Sequence, residues 1–340
     1  MDTQYDVVVV GGGAAGLSGA LALGRARRSV LVVDSGSPRN APAAEMHNYL
    51  GRDGTPPGDL LAAGRAEVAG YGGAVVDGEV VRAVREDDGF TVTLADGPTV
   101  RARRLLVTTG LVDELPPVPG LAERWGHDVL HCPYCHGWEV RAQAVGVLST
   151  GPGGVLKAQL WRQWSADVTL FLHTGPEPTD EEWDQLAARG IEVVTGAVVA
   201  VESDGDRLTG VRLASGRVVP RDALVVSPVF TARSSVLTSL GLAAQDVTAP
   251  DGHVVGSAVP AGPAGATAVP GVWVAGNVTD LMAQVVTAAA AGLQAGAAIN
   301  ADLLSEDVRR AVQERQRRPF TPATERELSD AVLGDRRHGI

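Results

Sequence analysis

The sequence predicts an α/β protein with two nucleotide-binding units, each a three-layer, Rossmann-like stack of helices around a parallel sheet. Three observations predict it. A strand–glycine turn–helix–strand pattern opens the chain at Tyr5–Asp34, and a similar pattern restarts at Ala144–Leu172. The 42 glycines, with many Ala and Val, let helices lie close on sheets. A length of 340 residues suggests about two domains.

The elements follow in order. Tyr5–Val10 is an apolar run, Gly11–Gly16 opens an Ala/Leu-rich helix, and Ser29–Val33 is a second run ending in Asp34. A helix is expected around Asp59–Val68, then turn-punctuated strands from Val75 to Val100 and a buried strand at Leu105–Thr109. Gly110 and the Pro116, Pro117 and Pro119 turn mark a domain boundary. Beyond it come a strand at Ala144–Leu148, a turn at Gly151–Gly154, a helix at Val155–Trp164 and a strand at Val168–Leu172. Gly190–Val226 alternates like small strands, and the Ala/Gly/Pro-rich 245–268 reads as a crossing loop. Gly271–Ala275 is a strand, and a long small-residue helix is expected from Leu281. Beyond Arg318, Pro319 and Pro322 interrupt a tail expected to be a short helix or partly mobile.

Composition removes several classes of function. Hydrophobic residues make up 45% and charged residues 20%, as in a globular enzyme. A net charge of −11 with no basic run argues against nucleic-acid binding, which needs clustered Lys and Arg. No segment is apolar enough to span a bilayer and no secretory signal opens the chain, so a soluble, cytoplasmic protein without a membrane partner is expected. The 2 cysteines form one C-x-x-C, unlike a disulfide-stapled secreted scaffold.

Two motifs carry chemistry. Gly11-x-Gly13-Ala14-Ala15-Gly16 lies between a strand and a helix. Its first two glycines allow a tight turn and close approach to a pyrophosphate, and the third permits helix–strand packing. Asp34 ends the next strand, where a carboxylate accepts ribose hydroxyls. The second motif is Cys132-Pro133-Tyr134-Cys135-His136-Gly137. Two cysteines three apart at a helix start can form a readily reduced disulfide, and the helix N-terminus favours thiolate. The alternative is half a zinc site with His131 and His136 as extra ligands. Adjacent residues do not readily wrap a metal tetrahedrally and no second C-x-x-C exists, so no metal is expected.

From Asp6 to about Ala301 the order of motifs resembles the low-molecular-weight thioredoxin reductases, flavoproteins of the pyridine nucleotide-disulfide oxidoreductase type. The resemblance implies a discontinuous FAD domain, 1–119 with 248–303, around a domain of NAD(P)-binding type at 120–247 that carries the C-x-x-C. Residues 304–340 are left as a helical tail. Gly276-Asn277-Val278 matches the family's Gly-Asp-Val segment and is followed by Gln284 and Val285. The His47–Gly51 segment, with Asn48, resembles a turn near the flavin, and Thr108-Thr109-Gly110 resembles the family's Ala-Thr-Gly strand end. Asn277 stands where Asp usually binds the ribityl chain. By the same resemblance Cys135 is the sulfur beside the flavin and Cys132 the exchange thiol. His136 takes the position of the family's acid–base Asp, and an imidazole titrates near neutrality. A homodimer is implied.

The second nucleotide unit departs from the pattern. Ser149 replaces the first glycine of its turn, and Pro152 removes an N–H from it. Leu172-His173-Thr174 lacks the arginines that grip the 2′-phosphate of NADPH, so NAD(P)H is a doubtful cofactor. The chain here is similar to the thioredoxin-reductase-like dithiol oxidases of the gliotoxin and holomycin type, which keep FAD, C-x-x-C and His but lack this signature. That resemblance implies a small-molecule dithiol substrate and oxygen as electron acceptor. The alternatives are a reductase of thioredoxin or another thiol, with NADH the expected donor, and a non-catalytic flavin redox sensor. Trp125, Trp138, Trp161 and Trp164 are either core residues or the walls of an apolar pocket.

Overall fold

The computed structural model describes residues 3–317 and 321–333. The strand Gln4–Val10 pairs in parallel with Val30–Asp34 on one side and Thr99–Val107 on the other. Ala74–Asp77 extends this sheet beyond Val30–Asp34, and the late strand Val272–Val274 joins beside Thr99–Val107. Distant parts of the chain thus build one sheet. An antiparallel pair, Val80–Glu86 and Gly89–Leu94, completes it. Val7, Val8 and Val9 are fully buried, as expected of a strand covered on both faces, and this explains the continuous valine run.

Helices Ala14–Arg25 and Val285–Arg317 cover one face of this sheet. They meet backbone to backbone: a Cβ on Gly292 would stand 1.9 Å from the Ala15 carbonyl oxygen. Only glycine fits, and the close approach sets Ala15 beside Gly276 and Ala288 at the sheet's carboxyl edge. The long helix starts at Val285, not at the expected Leu281, because Gly276–Val278 forms a 3₁₀ turn first. The Asn277 amide holds the intervening turn open by donating to the carbonyls of Asp280 and Ala283, both at 3.0 Å.

The second parallel sheet runs in the order Glu192–Val194, Val168–Phe171, Val145–Leu148, Ala223–Val225, Val129–Leu130. Helix Gly154–Trp161 packs on it, with Trp161 and Phe171 wholly buried. Helix Asp180–Ala188 was not expected, although Thr179 and Glu182 form a capping box that is legible as T-x-x-E. An antiparallel sheet, Val198–Asp204, Arg207–Leu213 and Val218–Pro220, fills the interval that alternates in sequence.

Residues 245–268 are not simply a crossing loop. Gln245–Thr248 and Val254–Ala258 form an antiparallel pair in a four-stranded sheet with Val229–Ala232 and Leu111–Glu114. The hairpin turns at Asp251-Gly252, where Gly252 has φ +84. Val247 and Val255 point to a small core with Phe230 and Leu111, a burial pattern that the surrounding Ala, Gly and Pro conceal. This sheet ties together the two connections between the nucleotide units.

Helix Val285–Arg317 runs without a break past residue 303, held by Arg28, Arg103 and Arg104 against Asp302, Glu306 and Asp307. A second helix, Pro322–Leu333, follows; Pro319 lies outside the described residues. Among the described residues no helix is long and apolar enough to cross a membrane.

Candidate active site where two nucleotide folds meet

Open α/β sheets bind ligands beyond the carboxyl ends of their strands. Here the strand ends of the first sheet deliver Gly11, Asp34, Thr108 and Thr109 to a cavity of about 1140 Å³. Gly13, Ala14, Ala15, Gly110, Gly276, Asn277, Gln284 and Val285 line the same cavity. The glycines divide the work as the sequence suggests. A Cβ at Gly13 would meet nothing within 4 Å and would project into open space. Gly16 lies outside the lining, and a Cβ there would stand 1.9 Å from the Gly11 carbonyl oxygen, so its part is packing.

Asp34 is nearly buried, and its Oδ2 accepts from Arg65 Nη2 at 2.5 Å. Arg65 also donates to Asp77 at 2.8 Å. The two acids raise the guanidinium's pKa, with the Asp77 hydrogen bond the largest cause. Sequence reasoning missed Arg65, whose only signal is a basic residue on the helix Pro57–Gly70. Asn277 also gains a reason. Its NH₂ faces three backbone carbonyls, which a carboxylate would repel, and this leaves the amide oxygen as the group an incoming hydroxyl can meet.

The second sheet delivers the thiols. Val129–Leu130 ends two residues before Cys132, which caps the short helix Pro133–His136. The N–H groups of Cys135 and His136 donate to the Cys132 carbonyl at 3.2 and 3.1 Å, fixing the turn. Both thiols are free, half-buried and in the cavity lining. They divide in acidity. A hydrogen bond from Cys135, backbone N–H groups of Cys135 and Tyr134 and the charge of Arg39 together push the Cys132 thiol down to about 7, against the opposing effect of burial. Cys135 is raised, because it donates to Cys132 and is itself buried. Of the two, Cys132 is the sulfur whose surroundings favour the thiolate.

His136 lines the cavity, and burial lowers its pKa against the opposing charge of Glu139. His47, also in the lining, stands 3.4 Å from Glu139. Asn48 is not in the lining. It adopts φ +63 and donates to the Tyr134 carbonyl at 2.6 Å, so it ties its loop to the cysteine turn. Arg39, another residue the sequence did not single out, is held bidentately by Asp113 at 2.8 and 2.6 Å and lies over Phe230. The tryptophans separate: Trp161 is core, Trp125 lines the cavity, Trp164 supports Tyr134 edge-on, and Trp138 is exposed beneath Arg141.

The second glycine turn differs from the first. The Ser149 hydroxyl donates to the Gly151 carbonyl at 3.2 Å and fills the space between Gly154 and Gly175. A Cβ on Gly151 would stand 3.3 Å from the His253 ring, which comes from the hairpin of the four-stranded sheet. His173 Nδ1 accepts from the Val198 N–H at 3.0 Å. This turn is absent from the cavity apart from Gly153.

Two nucleotide folds that share one cavity with a thiol pair define the class of two-domain disulfide oxidoreductases. The chain belongs to the pyridine nucleotide-disulphide oxidoreductase family, whose profile matches residues 5–292. It is 30% identical over 324 residues to a protein named thioredoxin reductase tcpT from Claviceps purpurea, covering 88% of this chain and 95% of that one. The crystal structure of HlmI superposes with a TM-score of 0.84 at 48% identity, covering 93% of this chain and 98% of that one. An oxidoreductase from Agrobacterium tumefaciens gives 0.82 at 34% identity, over 88% and 99%. The protein is therefore an enzyme of the thioredoxin-reductase-like type, and its family holds FAD. The open space at Gly13, the Asp34 carboxylate and the Asn277 amide suit that dinucleotide.

Proposed function

We propose that the enzyme is a dithiol oxidase that closes a disulfide in a small molecule. The closed second turn carries this reading. Ser149 folded onto Gly151, Pro152 lacking an N–H, His253 against the turn and the absence of arginine from Leu172-His173-Thr174 all disfavour a phosphate of NAD(P)H at this turn. Substrate dithiol is then the source of electrons. One substrate sulfur bonds to Cys132 as the Cys132–Cys135 bond breaks. The second substrate sulfur closes the substrate disulfide and frees Cys132, leaving two electrons and two protons with the cysteine pair and nearby bases. His136, neutral because it is buried, accepts the proton of the attacking thiol. Gly11, Gly13, Asp34 and Asn277 would hold FAD, which would supply the two-electron acceptor beside Cys135, with oxygen as final oxidant and hydrogen peroxide as product.

On this reading the FAD-binding part comprises 1–119 and 248–303, the part carrying the cysteines 120–247, and the tail 304–340. The four-stranded sheet joins strands from both parts, and its Phe230 meets the His131 ring edge-on, next to Cys132. An anaerobic titration of the yellow protein tests the function. Dithiol should bleach the flavin, NADPH and NADH should not, and air should restore the colour. Prompt bleaching by a nicotinamide would identify a reductase instead.

A further inference from the structure

Lys157 is the only lysine in the chain. It stands on helix Gly154–Trp161, on the side of the second nucleotide unit that faces the cavity. Its ammonium is half-buried, donates to the Ser227 hydroxyl and lies 3.5 Å from the Val226 carbonyl. The same carbonyl meets His131 Nδ1 at 3.2 Å. An acceptor-only carbonyl requires that nitrogen to carry the proton, so the lone pair of His131 is at Nε2. Lys157 and His131 therefore converge on one backbone oxygen, and His131 directly precedes Cys132.

Charge balance distinguishes Lys157 from Arg39 and Arg65; Arg233, which also lines the cavity without an ion pair, donates to the Ser37 carbonyl away from the thiols' helix. Arg39 is neutralised bidentately by Asp113, and Arg65 by Asp34 and Asp77. Among the described residues no carboxylate forms an ion pair with Lys157, and burial is the one cause acting on its titration. A desolvated ammonium with only neutral acceptors is a costly arrangement unless a ligand completes it. Leu156 and Leu160 flank it on the same helix and line the cavity with it.

We propose that Lys157 is the specificity residue for substrate, binding a carboxylate carried by the small dithiol whose sulfur meets Cys132. This rests on the dithiol-oxidase reading and assigns that site a substrate class. The acid lies toward Lys157 and Ser227, the carbon spacer along Leu156 and Leu160, and the thiols at Cys132.

Dihydrolipoate and dihydrolipoamide, which share a dithiol skeleton and differ in the terminal charge, test it. The wild-type enzyme should favour the acid in kcat/KM by roughly tenfold, mainly through KM, the size expected of one half-buried ion pair. K157M should bring the ratio to about one, and K157R should restore part of it. Calorimetric binding of oxidised lipoate and lipoamide to the FAD-loaded protein should show the same preference and the same loss. Equal handling of the two dithiols by the wild type, or a preference that survives in K157M, overturns the proposal. So does a K157M variant whose only change is a shifted flavin spectrum or potential, since Lys157 would then face the cofactor. If neither dithiol bleaches the flavin but lipoate still binds through Lys157, the oxidase reading fails and the carboxylate subsite stands.

Discussion

The turns Gly11–Gly16 and Ser149–Gly154 each follow a parallel strand and lead into a helix, yet they present different surfaces. At the first, Gly13 opens onto the cavity and the next strand brings a carboxylate to its edge. At the second, a serine hydroxyl occupies the interior of the turn, a histidine from the hairpin of another sheet lies against it, and His173 follows the end of the next strand, Val168–Phe171. The backbone topology is shared. Ser149, Pro152 and His253 make the difference between the two turns, and on the proposed reading they turn a nucleotide fold into a platform. In this molecule the second fold carries the cysteine turn and Lys157 instead.

The comparison breaks first at the platform's own chemistry. Cys135→Ser should lower dithiol turnover by at least about 10³-fold while FAD stays bound, measured by oxygen uptake and flavin absorbance. Substantial residual turnover would remove the cysteine turn from catalysis. His136→Ala should cost about 10²-fold. Because burial lowers the imidazole's pKa, it stays a base as the pH falls below its ordinary value of 6.5 and is lost only on further acidification. That acidic limb should vanish in the variant, and an unchanged limb would exclude His136.

A matched pair of glycine variants sharpens the contrast between the turns. Gly11 has φ +103, and a Cβ there would stand 2.6 Å from the Thr108 carbonyl oxygen. Gly11→Ala should cost about 1–3 kcal/mol of stability and reduce the FAD content of purified protein. Gly153 has φ +88 but open space around it, so Gly153→Ala should cost about 1–2 kcal/mol and leave FAD content intact. Loss of FAD from both variants would erase the distinction. The smallest effect concerns acidity. With the Cys132 thiol pushed down to about 7, its alkylation rate should rise with pH to a half-point near 7, below the ordinary 9. Arg39→Met should move the half-point upward, since it removes a cation that favours thiolate. A half-point near 9 in the wild type would contradict the assigned nucleophile.

Much of this site could be read from local sequence because its signals are local. A glycine turn must lie between a strand and a helix, and a C-x-x-C needs only one turn of chain. The capping box at Thr179–Glu182 and the Asp251-Gly252 hairpin are equally local signals, the second set in an Ala/Gly/Pro-rich stretch that reads as a loop. Arg65 beside Asp34, Arg39 against Asp113 and Lys157 beside His131 were not legible at all. Their partners lie 31, 74 and 26 positions away in the chain, and a charge carries no sequence pattern that names its counterpart.

By itself, then, the sequence determined the α/β class, the dinucleotide turn with Asp34 and the thiol pair, because backbone geometry and short-range chemistry dictate those within a few residues. The tertiary structure alone decided that Ser149 and His253 fold against the second turn, that the Asn277 amide faces three backbone carbonyls, and that the half-buried lysine in the thiols' cavity has no carboxylate partner among the described residues. Those outcomes depend on which groups long-range packing brings together and which of them it leaves without water, and neither is set by the spacing of residues along the chain.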